Sequence, residues 1–249
     1  MKMKDLSISN CISVGWEQFK KYGLSLTAIY LGYYVINNIL TLPLDLYNTF
    51  QQVYVGGYHP YGNDAISILT SQGTNIGIII GCSLLAAVFG LVFYFGFYGI
   101  TLQLAKGTLS AVSFSPFKRP VIAYLKFIAV MIIYGLAVCV GCCLCIIPGI
   151  YLAIKLNFAP IYMVDHPDAT IEQAMSAGWK MSKGNFWSIL GLQIAFIGIS
   201  FVGFLCCCVG ILAAYPYIFL IESNAYYELL GNIEPDGYNP TDNYSKEAY

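Results

Sequence analysis

Long apolar stretches alternate with short polar, basic ones along the chain, and the apolar lengths suit a bilayer better than a soluble core. Residues 24–43 (LSLTAIYLGYYVINNILTLP) and 76–100 (IGIIIGCSLLAAVFGLVFYFGFYGI) are uncharged. Each is about long enough to cross hydrocarbon as a helix. The next apolar region, 121–164, contains Lys126 and Lys155 as its only charges. As one helix it would reach roughly 66 Å, about twice the hydrocarbon thickness, so it must fold back. IIPGI at 146–150 supplies the break, because proline removes a backbone donor and glycine tolerates a turn. Region 186–230 repeats the problem, with Gly210 and Pro216 as its breaks. The pattern predicts an all-α polytopic fold of six transmembrane helices in three hairpin-like units. The spans fall at about 24–43, 76–100, 121–141, 148–164, 186–207 and 211–230, forming a single membrane domain over 1–230. The 44–75 stretch is expected to be an outer loop, and the polar tail 231–249 a disordered cytoplasmic one.

A short amphipathic sentence is written twice. Aligning 8–26 with 171–189 matches Ile8/Ile171, Ser13/Ser176, Gly15/Gly178, Trp16/Trp179, Lys20/Lys183 and Ser25/Ser188. On a helix the apolar positions of each copy share one face, while Glu17, Lys20 and Lys21 (or Glu172, Lys180 and Lys183) take the other. Thr170 and Gln173 have capping-box spacing at the start of the second copy. Both copies, about 6–22 and 169–184, are read as helices in the cytoplasmic interface that lead into spans. Trp16, Lys20, Lys21, Trp179, Lys183 and Trp187 are their expected anchors. Ordinary amphipathic cytoplasmic loops would give the same periodicity. A weaker third copy, SFSPFKRPVIAYLKF at 113–127, precedes the third span without the Gly-Trp pair.

Composition agrees with this reading and charge orients it. The chain is 58% hydrophobic and 10% charged, against about 25% charged in soluble domains. Mean hydropathy is +0.67. Four basic residues lie in 1–22, four in 102–126 and two in 165–185, with none in 44–75 or at the two hairpin turns. The positive-inside rule then puts both termini in the cytoplasm of a bacterial inner membrane. No cleavable leader is legible, since Met-Lys-Met-Lys is followed by a polar amphipathic stretch. Net charge of −1 and the absence of a basic tract give no nucleic-acid partner.

Candidate chemistry is sparse. Lys155 and Glu222 stand seven and six residues beyond Pro148 and Pro216. If both prolines open their helices at the outer face, the two charges reach similar depth and could form an intramembrane ion pair. A polar path or snorkelling from misplaced span ends are the other readings. Asn37, Asn38, Gln103 and Gln193 are further intramembrane polar candidates, of the kind that join helices by hydrogen bonds. Seven of the nine cysteines cluster in 139–145 and 205–208. Small-residue packing, disulfides and a metal site all remain open for them. No GxSxG, HExxH, P-loop or paired-carboxylate pattern occurs, so no catalytic residue, metal or cofactor is assigned and no enzyme is expected.

GIYLAIKLNFAPIYMVDHPDATIEQAMSAGWKMSKGNFWSILGL (149–192) resembles the signature region of the YciC-like uncharacterised bacterial integral membrane proteins. Those are similar in turn to the membrane domain attached to some glycerophosphodiester phosphodiesterases. The matching features are a Pro-Gly entry, the basic residue in the fourth span, the Asp-x-Pro-Asp exit at 165–168 and the Gly-Trp…Lys-Gly-Asn-Phe-Trp run. The first Gly-Trp copy and AYYELLG at 225–231 also fit. The resemblance implies a six-span inner-membrane protein with no established activity. No phosphodiesterase domain is legible, so that catalysis is not carried over. Binding to membrane lipid, or organising other membrane proteins or further copies of itself, is the expected role. The alternative is a small transporter or permease using Lys155 and Glu222.

Overall fold

The computed structural model describes residues 6–55, 65–107, 115–205 and 209–233, and among them every regular element is helical. The elements are α1 (Ile8–Val55), α2 (Ala65–Ala105), a 3-10 turn (Ser115–Lys118), α3 (Val121–Leu144), α4 (Ile146–Leu156), α5 (Ala159–Asp165), α6 (Ile171–Met181), α7 (Phe186–Leu205) and α8 (Val209–Ile233). Among the described residues four stretches are long and apolar enough to cross a membrane: Ile80–Ala105, Val121–Leu144, Ile146–Asp165 and Phe186–Leu205. The expected first and last spans are helical but fall outside that set. Tyr30, Tyr33, Tyr34, Asn37 and Asn38 dilute the first, and Glu222, Ser223, Asn224 and Glu228 dilute the last.

Several boundaries differ from the sequence reading, each for a local reason. The first amphipathic copy and the first span are one 48-residue helix, α1, which runs through Pro43 to Val55. A proline removes one intrahelical donor, and the leucines at 40, 42, 44 and 46 favour helix on both sides. The expected 44–75 loop is therefore mostly helix, and 56–64 lies outside the described residues. The fourth span breaks into α4 and α5 at Asn157–Phe158. Pro160 has no N–H to offer the Leu156 carbonyl, so the ladder restarts one turn later. Pro148, by contrast, sits in the first turn of α4, where its missing donor costs little. The tail expected from 231 begins later, because α8 extends to Ile233; 234–249 lies outside the described residues.

The two Gly-Trp copies also end differently. α6 starts at the expected capping box, with Thr170 accepting from the Gln173 N–H and the Gln173 side chain from the Thr170 N–H. It stops at Ser182, and Gly184 takes φ +85° before α7 begins. The first copy has Lys21 at the aligned position, where a left-handed backbone is costly, and its helix simply continues. Gly184→Lys, which makes the second copy like the first, is expected to cost about 1–2 kcal/mol. Thermal unfolding in detergent checks it, and an unshifted midpoint would count against the turn being fixed by glycine.

The chain divides into two compact units, one formed by Met1–Ala28 with Phe95–Tyr249 and the other by Ile29–Tyr94. In the smaller unit an aromatic ladder joins α1 to α2: Tyr33 stacks on Phe93 with ring centroids 4.0 Å apart and on Phe89 at 5.7 Å. In the larger unit the core centres on Phe97, Ile100, Phe158, Ile161, Leu220 and Tyr226, all nearly inaccessible to solvent.

Three close approaches shape the larger unit. A Cβ on Gly178 would stand 2.9 Å from the Ala159 nitrogen, so α6 lies directly on α5. A Cβ on Gly15 would stand 3.0 Å from Ile221, so the first turns of α1 lie on α8. Phe117 and Pro116 of the 3-10 turn occupy the space over Gly96 and Gly99 of α2. In the α3–α4 hairpin, Gly149 sits against Cys142, and Cys145 alone links the two helices with an extended backbone. Cys139, Cys142, Cys143 and Cys145 are free thiols; Cys206–Cys208 lie outside the described residues.

Candidate functional site

Tyr98 near the end of α2, Asn157 at the α4–α5 break and Glu222 in α8 converge on one carboxylate. Glu222 accepts from the Tyr98 hydroxyl at 2.8 Å and from the Asn157 amide at 2.9 Å, and is buried. One residue further along α8, Ser223 donates to the Thr101 hydroxyl at 2.9 Å. A turn beyond, Asp165 at the end of α5 accepts from Lys106 at 2.9 Å, Tyr227 at 3.1 Å and Tyr226 at 3.2 Å. The Lys106 and Asp165 side chains are 4% and 1% exposed, so this ion pair is withdrawn from solvent. Spacing explains the column: 222, 223, 226 and 227 share one face of α8, and Tyr98 and Thr101 are one turn apart on α2. Burial in a medium without water makes each unmade hydrogen bond expensive, which is why the carboxylates collect two and three donors.

Lys155 and Glu222 do not meet. Lys155 donates to the Ser182 carbonyl at 3.1 Å and lies over the rings of Trp179 (5.5 Å) and Tyr151 (5.7 Å). The reason is helical phase: Lys155 and Asn157 are two positions apart and point to opposite sides of the chain, the lysine toward α6 and the asparagine toward α8. Ser182 reinforces the lysine side, its single hydroxyl proton within reach of the carbonyls of Gly178, Lys155 and Ile154 at 2.9, 3.0 and 3.2 Å. The other intramembrane candidates divide. Asn38 donates to Tyr34 O in its own helix at 2.7 Å, and Thr41 donates to the Asn37 carbonyl, so neither contact joins helices. Gln103 is buried in α2. Gln193 lines a cavity of about 220 Å³ among α3, α4 and α7, together with Asn157 and Tyr134.

The expected anchors hold protein as well as facing outward. Trp16 is 47% exposed and packs edge-on to Tyr217 and against Phe19, with Lys20 beside it, itself paired with Glu17. Lys21 lies over the Tyr22 ring. Trp179 is 43% exposed and meets Tyr151 edge-on, while Trp187 is 79% exposed and Lys183 is exposed. Cys11 donates to Glu228, Gln18 and Asn224 exchange amide hydrogen bonds, and the Leu6 N–H donates to Asn185. The apolar face of each copy therefore packs on a helix, and only its edge is open.

Sequence reasoning missed Tyr98, Lys106, Asn157, Asp165, Tyr226 and Tyr227. A signal existed: the DHPD and AYYELLG stretches each stand out, and Asp165 joins them through both tyrosines. Lys106 and Lys126 read only as orientation charges. Lys126 in fact donates to the carbonyls of Pro167, Asp168 and Ala169, holding the turn between α5 and α6. Among the described residues no group of His, Cys, Asp and Glu is arranged to hold a metal ion.

No family model matches the chain, and no solved structure does. It is similar to Uncharacterized protein Mb2590 of Mycobacterium bovis, at 25% identity over 238 residues, 93% of this chain and 71% of the relative. Uncharacterized protein MT2637 of Mycobacterium tuberculosis matches over the same extent at the same identity. With four helices among the described residues long and apolar enough to cross a bilayer, the chain is a helical membrane protein.

Proposed function

We propose that this is a YciC-like six-span protein of the bacterial inner membrane, both termini cytoplasmic, that binds lipid and organises partners there without catalysing a reaction. The reading rests on one observation above others. Each Gly-Trp helix buries its glycine on a neighbour and leaves its tryptophan about half exposed, at 47% for Trp16 and 43% for Trp179. An indole rim with lysines alongside suits the headgroup zone, where an amphipathic ring and a cation both find partners.

The chain reads as three units, each with an entry segment and two long helical stretches. Every entry segment packs on the second stretch of the unit before it: the 3-10 turn on α2, α6 on α5, and the start of α1 on α8. The second stretches supply Tyr98, Asn157 and Glu222, one residue each, to the buried polar centre. The hydrogen bonds there are internal, which favours a structural hub over a reaction centre. Transport through a Lys155–Glu222 pair loses its basis, since the two have separate partners.

Protein purified in mild detergent is expected to retain phospholipid by native mass spectrometry. The triple change Trp16→Ala, Trp179→Ala, Trp187→Ala should lower the bound phospholipid several-fold with helical content unchanged. Equal retention by the variant counts against the reading.

A further inference from the structure

The cavity among α3, α4 and α7 shares Asn157 with the polar centre, and its lining is selective. Its walls are Ile150, Ile154 and Leu190, and its polar groups are Tyr134, Asn157 and Gln193. All three helices lie in stretches apolar enough to cross a bilayer, and Tyr134 stands near the middle of α3. Polar side chains at such positions are expensive unless something pairs with them.

Their hydrogen-bonding capacity is largely unspent. The Gln193 amide makes no hydrogen bond to another described residue. Asn157 commits an amide hydrogen to Glu222, and its carbonyl oxygen has no partner among the described residues. Among the described residues Tyr134 reaches only the Ala153 carbonyl, at 3.5 Å, beyond the usual range for a hydroxyl donor. The cavity thus offers donors from Gln193 and Tyr134 and acceptors from Gln193 and Asn157, and among the described residues no charged side chain lines it.

Two further features narrow the occupant. At about 220 Å³ the cavity is smaller than the roughly 300–1,000 Å³ that encloses a whole drug-sized molecule. It therefore takes part of a larger one. Leu190, Gln193, Ile194 and Ile197 form one stripe of α7, and the last two are 61% and 70% exposed. That stripe is an apolar track leading away from the polar groups. A phosphate-bearing headgroup is disfavoured because, among the described residues, no lysine, arginine or histidine lines the site to balance it. The Glu222 carboxyl behind Asn157 repels an anion further whenever it is ionised.

We infer that this cavity binds a neutral lipid, seating its hydroxyl or carbonyl oxygen against Gln193, Tyr134 and Asn157 while its chain runs along the Ile194–Ile197 stripe. The inference rests on the lipid-binding reading and adds to it the lipid class and the seat. Diacylglycerols and isoprenoid quinones share this chemistry.

The test uses the full chain in phosphatidylcholine nanodiscs with three diazirine probes: a diacylglycerol, an isoprenoid quinone and a phosphatidic acid. At least one neutral probe should label the peptide carrying Leu190 and Gln193, and unlabelled neutral lipid of the same kind should compete. The label should fall about tenfold or more in Gln193→Leu, the equivalent of one well-made hydrogen bond. Leu190→Trp, which fills the cavity, should abolish it. Which neutral probe succeeds identifies the source. Equal labelling by phosphatidic acid overturns the inference, as does labelling indifferent to both substitutions or a peptide left unlabelled. In those cases phospholipid retention at the tryptophan rim still decides the broader reading separately.

Discussion

Asp165→Leu is expected to destabilise the protein by about 3–5 kcal/mol, the usual cost of leaving one partner of a buried ion pair behind. The aspartate receives Lys106 from the turn after α2 and Tyr226 and Tyr227 from α8, and both charged side chains are almost fully enclosed. Removing the carboxylate takes one acceptor away from a buried ammonium and two phenolic hydroxyls together. The double change Lys106→Leu, Asp165→Leu removes the charge imbalance, and apolar replacements of buried pairs are often near neutral. It should therefore recover part of the loss, the two tyrosine hydroxyls that lose their acceptor keeping the rest. Tyr226→Phe alone should cost about 1 kcal/mol. Thermal or denaturant unfolding in detergent reads all four proteins. A double variant as unstable as the single would mean the lysine is not the stranded charge, and the account of this layer would fail.

Gly178→Val should cost about 1–3 kcal/mol or more, as overpacking does where the neighbour cannot yield. The atom in the way is backbone: an added Cβ would stand 2.9 Å from the Ala159 nitrogen and 3.0 Å from its Cβ. The aligned Gly15→Val meets a side-chain carbon of Ile221 at 3.0 Å and its backbone only at 3.5 Å, so rotation of the isoleucine can absorb part of the strain. The ordered outcome is the informative part: Gly178→Val is expected to lower the unfolding midpoint more than Gly15→Val, and to expose the turn at 182–185 to protease. Equal losses at the two sites would show that the glycines serve a common need other than the approach of the helices.

What could be read from residues alone depended on local physics. Apolar runs with basic flanks announced membrane helices because lipid tolerates neither charge nor unpaired backbone. Thr170 and Gln173 announced the start of α6 because a capping box is closed within four residues. The Gly-Trp copies were visible as a pattern, but their glycines turned out to face helices, and which helix each faces is not written near them. Pro43 and Pro160 look alike in the sequence, yet one is carried through a helix and the other divides two.

The polar centre shows the limit most clearly. Lys155 and Glu222 were paired on depth along the chain, whereas contact also depends on rotational phase about each helix and on which helices are neighbours. Two positions of helix decided that Asn157, rather than Lys155, reaches Glu222. The class of protein and its apolar helices followed from sequence because each is a property of a few consecutive residues in contact with solvent or lipid. The Lys106–Asp165–Tyr226 cluster, the Tyr98–Asn157–Glu222 centre and the cavity beside it were decided only in three dimensions. Each joins residues more than fifty positions apart, and no local energy term selects such partners before the helices have packed.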